Sequence, residues 1–171
     1  WDARVSMLPG VPVRVRDGFV DGAGSMHGAV AALLPVVRSE GTPEIAQAAL
    51  QLYLGESIWV PTALLPSQGV RWSAIDATRA QATISGQGVQ ASVEFHFGAD
   101  GLPAAIVVPQ RLYDNGKDPP ALFRWQARNL LWQPRDGSQV PAQAVAEWLL
   151  PAGRYEYWRG GPVAVQYQRA R

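Results

Sequence analysis

The chain contains no cysteine, one lysine, two histidines and two methionines in 171 residues. Without cysteine there are no disulfides, thiolate metal sites, thiol nucleophile or sulfur lipidation in this stretch, and the redox compartment leaves no mark on it. The single lysine, Lys117, lies in the turn-forming run Asp114-Asn-Gly-Lys-Asp-Pro-Pro. Schiff-base chemistry or a phosphate-loop lysine would therefore have to use a loop tip. Charge is sparse as well: 17% of residues are charged, and 15 basic against 14 acidic side chains leave a net charge of +1. That balance presents no general field to nucleic acid or to an acidic membrane, so no nucleic-acid partner is expected. No apolar run approaches the ~20 residues that span a bilayer. The longest, around Ala29 to Val37, contains Pro35, and no transmembrane segment is expected.

What the chain does have is apolar bulk and turn punctuation. Hydrophobic residues make up 47% of the sequence, and 17 glycines and 14 prolines are scattered along it without a linker or a fixed repeat. This composition excludes a disordered tail and predicts one self-supporting domain over residues 1–171. The start at Trp1 is already strand-like, so further strand-forming sequence is expected upstream.

Periodicity gives the fold class. Val11, Val13 and Val15 alternate with polar or turn residues, and the Asp17-Gly18 and Asp21-Gly22 pairs read as turns of an antiparallel meander. Thr42-Pro43-Glu44 is a helix start: a hydroxyl cap, proline at the first helical position and a carboxylate at the positive end of the dipole. Ile45, Ala49 and Leu52, with Leu50 and Leu54, continue a broad apolar face to about Glu56. From Val70 the period becomes two. Ala80, Ala82 and Ile84 form one apolar face, Gly86-Gln-Gly88 reverses the chain, and Val89, Ala91, Val93, Phe95 and Phe97 continue that face. Further strands are expected at Leu102–Val108, 123–132, 144–150 and 155–168. The expectation is a mainly β fold with one helical segment (α+β): a curved antiparallel sheet or partial barrel, with 43–65 as a helical lid.

Candidate chemistry is thin, and each pattern has a bland counterpart. Glu94 and His96 share a strand face and could act as an acid/base pair or two metal ligands. A third ligand at a familiar spacing is missing, and Gln90 and Ser92 make the same face an ordinary wet one. Neither histidine is expected to hold a metal, and no cofactor is expected. Gly22-Ala-Gly-Ser-Met-His-Gly28 lacks both the lysine of a phosphate loop and the Gly-x-Ser-x-Gly order of a nucleophile elbow, so it reads as strand and turn.

Tryptophan is enriched, with seven indoles at Trp1, Trp59, Trp72, Trp125, Trp132, Trp148 and Trp158. Several of them lining a concavity, or most of them packing the core, are both compatible with the pattern. The runs Phe123-Arg-Trp-Gln-Ala-Arg128 and Tyr155-Glu-Tyr-Trp-Arg159 have the composition of a stacking platform for single strands, and Arg packed on rings within the sheet explains them equally.

Several stretches carry a family resemblance: Asp2-Ala-Arg-Val with Val13-Arg-Val-Arg-Asp17, Trp59-Val-Pro-Thr-Ala-Leu-Leu-Pro66, Gly69-Val-Arg-Trp72, Phe95-His-Phe97 with Asp100-Gly101, and Tyr157-Trp-Arg-Gly160. Together they resemble an uncharacterised bacterial family of unknown function, whose members carry strand-forming sequence upstream. The overall pattern is also similar to the lipoprotein carriers LolA and LolB, in which an unclosed antiparallel sheet holds acyl chains under a helical lid. That resemblance implies a hydrophobic cavity. It implies no compartment, and bacterial cytoplasm and periplasm are not distinguished. The chain departs from the family pattern at Pro103 and Pro109, and Gln110-Arg-Leu-Tyr113 matches its charged run only loosely, so no role is carried onto Arg111 or Tyr113.

The leading expectation is a non-catalytic module that holds a lipid or other hydrophobic small molecule between sheet and helix. Trp59 and Trp72, with Ile58 and Leu64, are its candidate ligand-binding residues. The alternatives are a small enzyme using the same cavity through Glu94, His96 and Arg71, and a purely structural domain whose concavity is self-filled.

Overall fold

The computed structural model describes residues 2–8, 11–21, 23–30, 34–135, 137–162, 164, 165 and 167, with the backbone path alone at 2–8, 11–13, 17, 26, 28–30 and 34–40. The described residues form two antiparallel sheets and one α-helix. The first sheet is a four-stranded meander of β1 (Asp2–Leu8), β2 (Val11–Val20), β3 (Ala23–Val30) and β4 (Leu34–Glu40). Helix α1 (Pro43–Glu56) follows, then three short 3-10 turns at Ser57–Trp59, Pro61–Leu64 and Pro66–Gln68. The second sheet has seven strands: β5 (Arg71–Ala74), β6 (Arg79–Gly86), β7 (Val89–Phe97), β8 (Pro103–Tyr113), β9 (Ala121–Arg135), β10 (Ser138–Leu150) and β11 (Gly153–Gly160). Its order is β11-β10-β9-β8-β7-β6-β5, each strand antiparallel to the next, and it does not close into a barrel.

The local chemistry accounts for the boundaries. Thr42 Oγ1 accepts the Ile45 N–H at 3.3 Å and Pro43 occupies the first helical turn, so α1 starts where the capping pattern predicts. The β6–β7 reversal has Gln87 at φ +52° and Gly88 at φ +80°, the paired left-handed conformation of a tight hairpin. In the first sheet the turn falls at Asp21, whose φ is +51°. The turn expected at Asp17-Gly18 is absent: both residues lie inside β2, with Asp17 opposite Met26 and Gly18 opposite Ser25. The strand expected to run to 168 ends at Gly160, and Gln168 lies outside the described residues. Pro103 and Pro109 do not break β8. Pro103 is its first residue and Pro109 falls in the register shift between Val108 and Arg111, where a missing N–H costs no ladder bond.

Helix α1 is clasped between the two sheets, which explains an apolar surface broader than one face needs. On one side an added Cβ at Gly24 of β3 would sit 2.5 Å from the Ala46 Cα, so strand and helix backbones touch only because that residue is glycine. On the other side Leu54 and Ile58 join Val70, Val93, Phe95, Ile106, Val108 and Trp125 in the core of the seven-stranded sheet. Gly55 faces that core, with Trp125 and Ile106 atoms 3.7–3.8 Å from where a Cβ would be, an ordinary contact distance.

Candidate functional site

The segment after α1 is held down at both ends by indoles. Trp59 donates Nε1–H to the Pro141 carbonyl at 3.1 Å and meets Trp158 edge to face at 6.3 Å. Tyr167 donates its hydroxyl to the Trp59 carbonyl at 3.0 Å. At the opposite edge, Trp72 of β5 donates Nε1–H to the Leu64 carbonyl at 3.0 Å and tilts against Phe95 at 5.0 Å. Ile58 is buried in the core, and Leu64 and Trp59 pack on it half-buried, while Trp72 keeps 38% of its surface. The four candidate residues therefore meet the same lid, with Trp59 and Trp72 at opposite ends of it. Beneath that lid the space is occupied by Leu54, Phe95 and Ile106 side chains, each at most 1% exposed.

An open volume lies on the other flank of α1. A groove of about 380 Å³ is bounded by Gly18 and Phe19 of β2, by Leu52, Tyr53 and Glu56 of α1, and by Ile84, Ser85 and Gly86 at the end of β6. Its walls are mainly apolar, and its size falls in the range of small-molecule sites, roughly 300–1,000 Å³. Arg71 donates to Ser85 Oγ at 3.4 Å, and its pairing with Thr83 puts it on the sheet face opposite Ile84. None of Ile58, Trp59, Leu64 or Trp72 lines the groove. Sequence reasoning missed it because it needs the first sheet, whose docking onto α1 hangs on Gly24. The readable signal was the apolar surplus of the helix at Leu52 and Tyr53.

Glu94 and His96, like Arg71, lie on the sheet face opposite Ile84. His96 Nε2 and Glu94 Oε2 are 3.0 Å apart on β7, on the face opposite Val93 and Phe95. Ser92 on the same face is bonded to Thr83 at 2.8 Å, so it is not presented to the imidazole. Ser25 and His27 lie on β3 in the four-stranded sheet, paired with Gly18 and Arg16 of β2. Among the described residues no three His, Asp or Glu side chains cluster as a metal site.

The outer face holds a polar centre that no sequence motif marks. Glu147 of β10 is 0% exposed, and its Oε1 accepts from Gln126 Nε2 at 2.5 Å, Arg128 Nε at 2.9 Å and Arg154 Nη1 at 3.0 Å. Burial pushes this carboxyl up, yet the hydrogen bonds from Arg128 and Gln126 and the charges of Arg128 and Arg154 prevail, holding it below the ordinary glutamate value. A lone glutamate inside Ala144-Val-Ala-Glu-Trp-Leu-Leu150 was its only sequence sign.

Strand alternation also separates the arginines from the rings in the two aromatic runs. Phe123 and Trp125 face the helix side, while Arg124, Gln126 and Arg128 face outward. Arg111 is the exception. It is buried on the helix side between Trp125 and Trp148, at 5.3 and 5.4 Å from the ring centres, and donates to the Ala48 carbonyl at 3.3 Å.

An open antiparallel sheet with a lid across one face and an apolar groove beside it defines a β-rich domain of the α+β class. The family described as "Family of unknown function (DUF6920)" matches residues 1–167, and the chain belongs to that family. No curated protein and no solved structure matches the chain. Among the described residues no helix is long and apolar enough to cross a membrane.

Proposed function

We propose that the chain is a non-catalytic binding module for an amphiphile, and that the apolar part of the ligand lies in the groove between α1, β2 and β6. The observation that supports this most is the groove itself: about 380 Å³ beside Phe19, Leu52 and Ile84, next to a sheet–helix core of buried side chains. In this reading Trp59, Trp72, Ile58 and Leu64 frame the site, because they fix the end of the helix that forms one wall. The resemblance to open-sheet lipoprotein carriers points the same way at the level of architecture.

A substitution can close the groove without touching the core. An added Cβ at Gly86 would meet no atom within 4 Å, so leucine there grows into open space on the face shared with Ile84. Native mass spectrometry with long-chain fatty acids and lysophospholipids should show a one-to-one complex that Gly86→Leu weakens at least tenfold with an unchanged unfolding midpoint. Absence of any complex across such a panel would leave a structural domain with a self-filled interior as the better account.

A further inference from the structure

The balanced total charge conceals a local excess on the outer face of the seven-stranded sheet. Alternation puts Leu112, Leu122, Arg124, Leu149 and Arg154 on that face. Pairing then sets Leu112 opposite Leu122, and Leu149 between Arg124 and Arg154. Leu122 is 54% exposed, the Arg154 side chain equally so, and Arg124 is exposed too. A large aliphatic side chain standing in water beside guanidiniums does nothing for the core, which lies on the opposite side.

The charge is unevenly compensated. On β9 to β11 this face carries Arg124, Arg128, Arg154 and Arg159 against Glu147 and Glu156. Arg159 and Glu156 neutralise each other through a bidentate pair at 2.8 and 3.0 Å. Arg128 and Arg154 both donate to the same oxygen of Glu147, so two guanidiniums share one buried carboxylate, with Arg124 close by on β9. The positive excess therefore concentrates on Arg124, Arg128 and Arg154, and the buried Glu147 holds two of those guanidiniums in place. The neighbouring loop, with Asp114 and Asp118 against the one Lys117, offsets only a single charge of that excess.

We propose that this patch is a peripheral docking surface for a bilayer carrying anionic phospholipids. Arg124, Arg128 and Arg154 would meet lipid phosphates, while Leu122, backed by Leu112 and Leu149, enters the head-group boundary. The combination selects the occupant: a purely acidic partner has no use for the exposed leucine, and a second copy would bring the same positive face. The groove lies on the other side of the sheet, so the two proposals stand or fall separately.

Co-sedimentation of the full chain with vesicles tests it. The chain should pellet with phosphatidylcholine–phosphatidylglycerol vesicles at low salt, weakly with phosphatidylcholine alone, and less as salt rises. Arg124→Glu should cut partitioning about tenfold and Leu122→Ser several-fold. Both should keep the unfolding midpoint, since neither residue belongs to the Glu147 network. Equal binding to both vesicle types, no binding to the anionic ones, or native-like binding by Arg124→Glu would overturn the proposal. Self-association without vesicles that Arg124→Glu abolishes would assign the face to a second copy and overturn it as well.

Discussion

The Trp72 indole donates to the carbonyl of Leu64 across eight residues, and this bond ties the far end of the lid to β5. Its counterpart at the near end is the Trp59 bond to Pro141. Trp72→Phe keeps a ring against Phe95 and loses only the hydrogen bond, so it should cost about 1 kcal/mol. Trp59→Ala removes both the bond and the edge contact with Trp158 and should cost about 3 kcal/mol. Urea unfolding curves compare the two directly, and equal costs would contradict the staple reading.

Gly24 makes a sharper prediction, because its Cβ-less contact with Ala46 joins the four-stranded sheet to the helix. Gly24→Ala must push the backbones apart and should destabilise the chain by about 2–3 kcal/mol. Limited proteolysis should then cut the first sheet before the second. Native resistance would mean that the sheet does not rest on α1.

The sequence made one half of this architecture readable and hid the other. Alternation from Ala80 to Phe97, the Gln87-Gly88 reversal and the Thr42-Pro43 cap are local signals, and each element appears where its chemistry places it. The division into two sheets is not local. It depends on Gly24 meeting Ala46 across a helix, and a glycine in a strand looks the same whether it relieves a bend or admits a backbone. Asp17-Gly18 shows the reverse error, a turn pair absorbed into a strand because β2 and β3 stay in register through Val20 and Ala23. For the candidate residues, the sequence correctly put Glu94 beside His96, but strand parity turns that pair away from the groove. It offered no means to foresee that Trp59 and Trp72 would spend their N–H groups on main-chain carbonyls.

Glu147 ties stability to pH with a definite sign. Its carboxyl lies below the ordinary glutamate value of 4.5 in the folded chain, so its ionised form contributes stability that is complete above that value. That contribution is lost as pH falls through the lower, folded value. Glu147→Gln leaves Arg128 and Arg154 facing a neutral amide and should cost roughly 1–3 kcal/mol at pH 7, less than a fully buried pair because both arginines reach water. The gap between native and variant chains should narrow below about pH 4.5. A gap constant from pH 7 to pH 3 would show that the carboxylate charge is not what stabilises this face.

The most direct test of the central claim is to locate a bound acyl chain. A fatty acid carrying a photoreactive diazirine on its tail, irradiated with the native protein and mapped by peptide mass spectrometry, should label Phe19, Leu52, Tyr53 or Ile84, the walls of the groove. Labelling should disappear in Gly86→Leu. Label concentrated instead on Trp59, Trp72 or the core residues beneath the lid, or no saturable labelling at all, would contradict the groove as the ligand site.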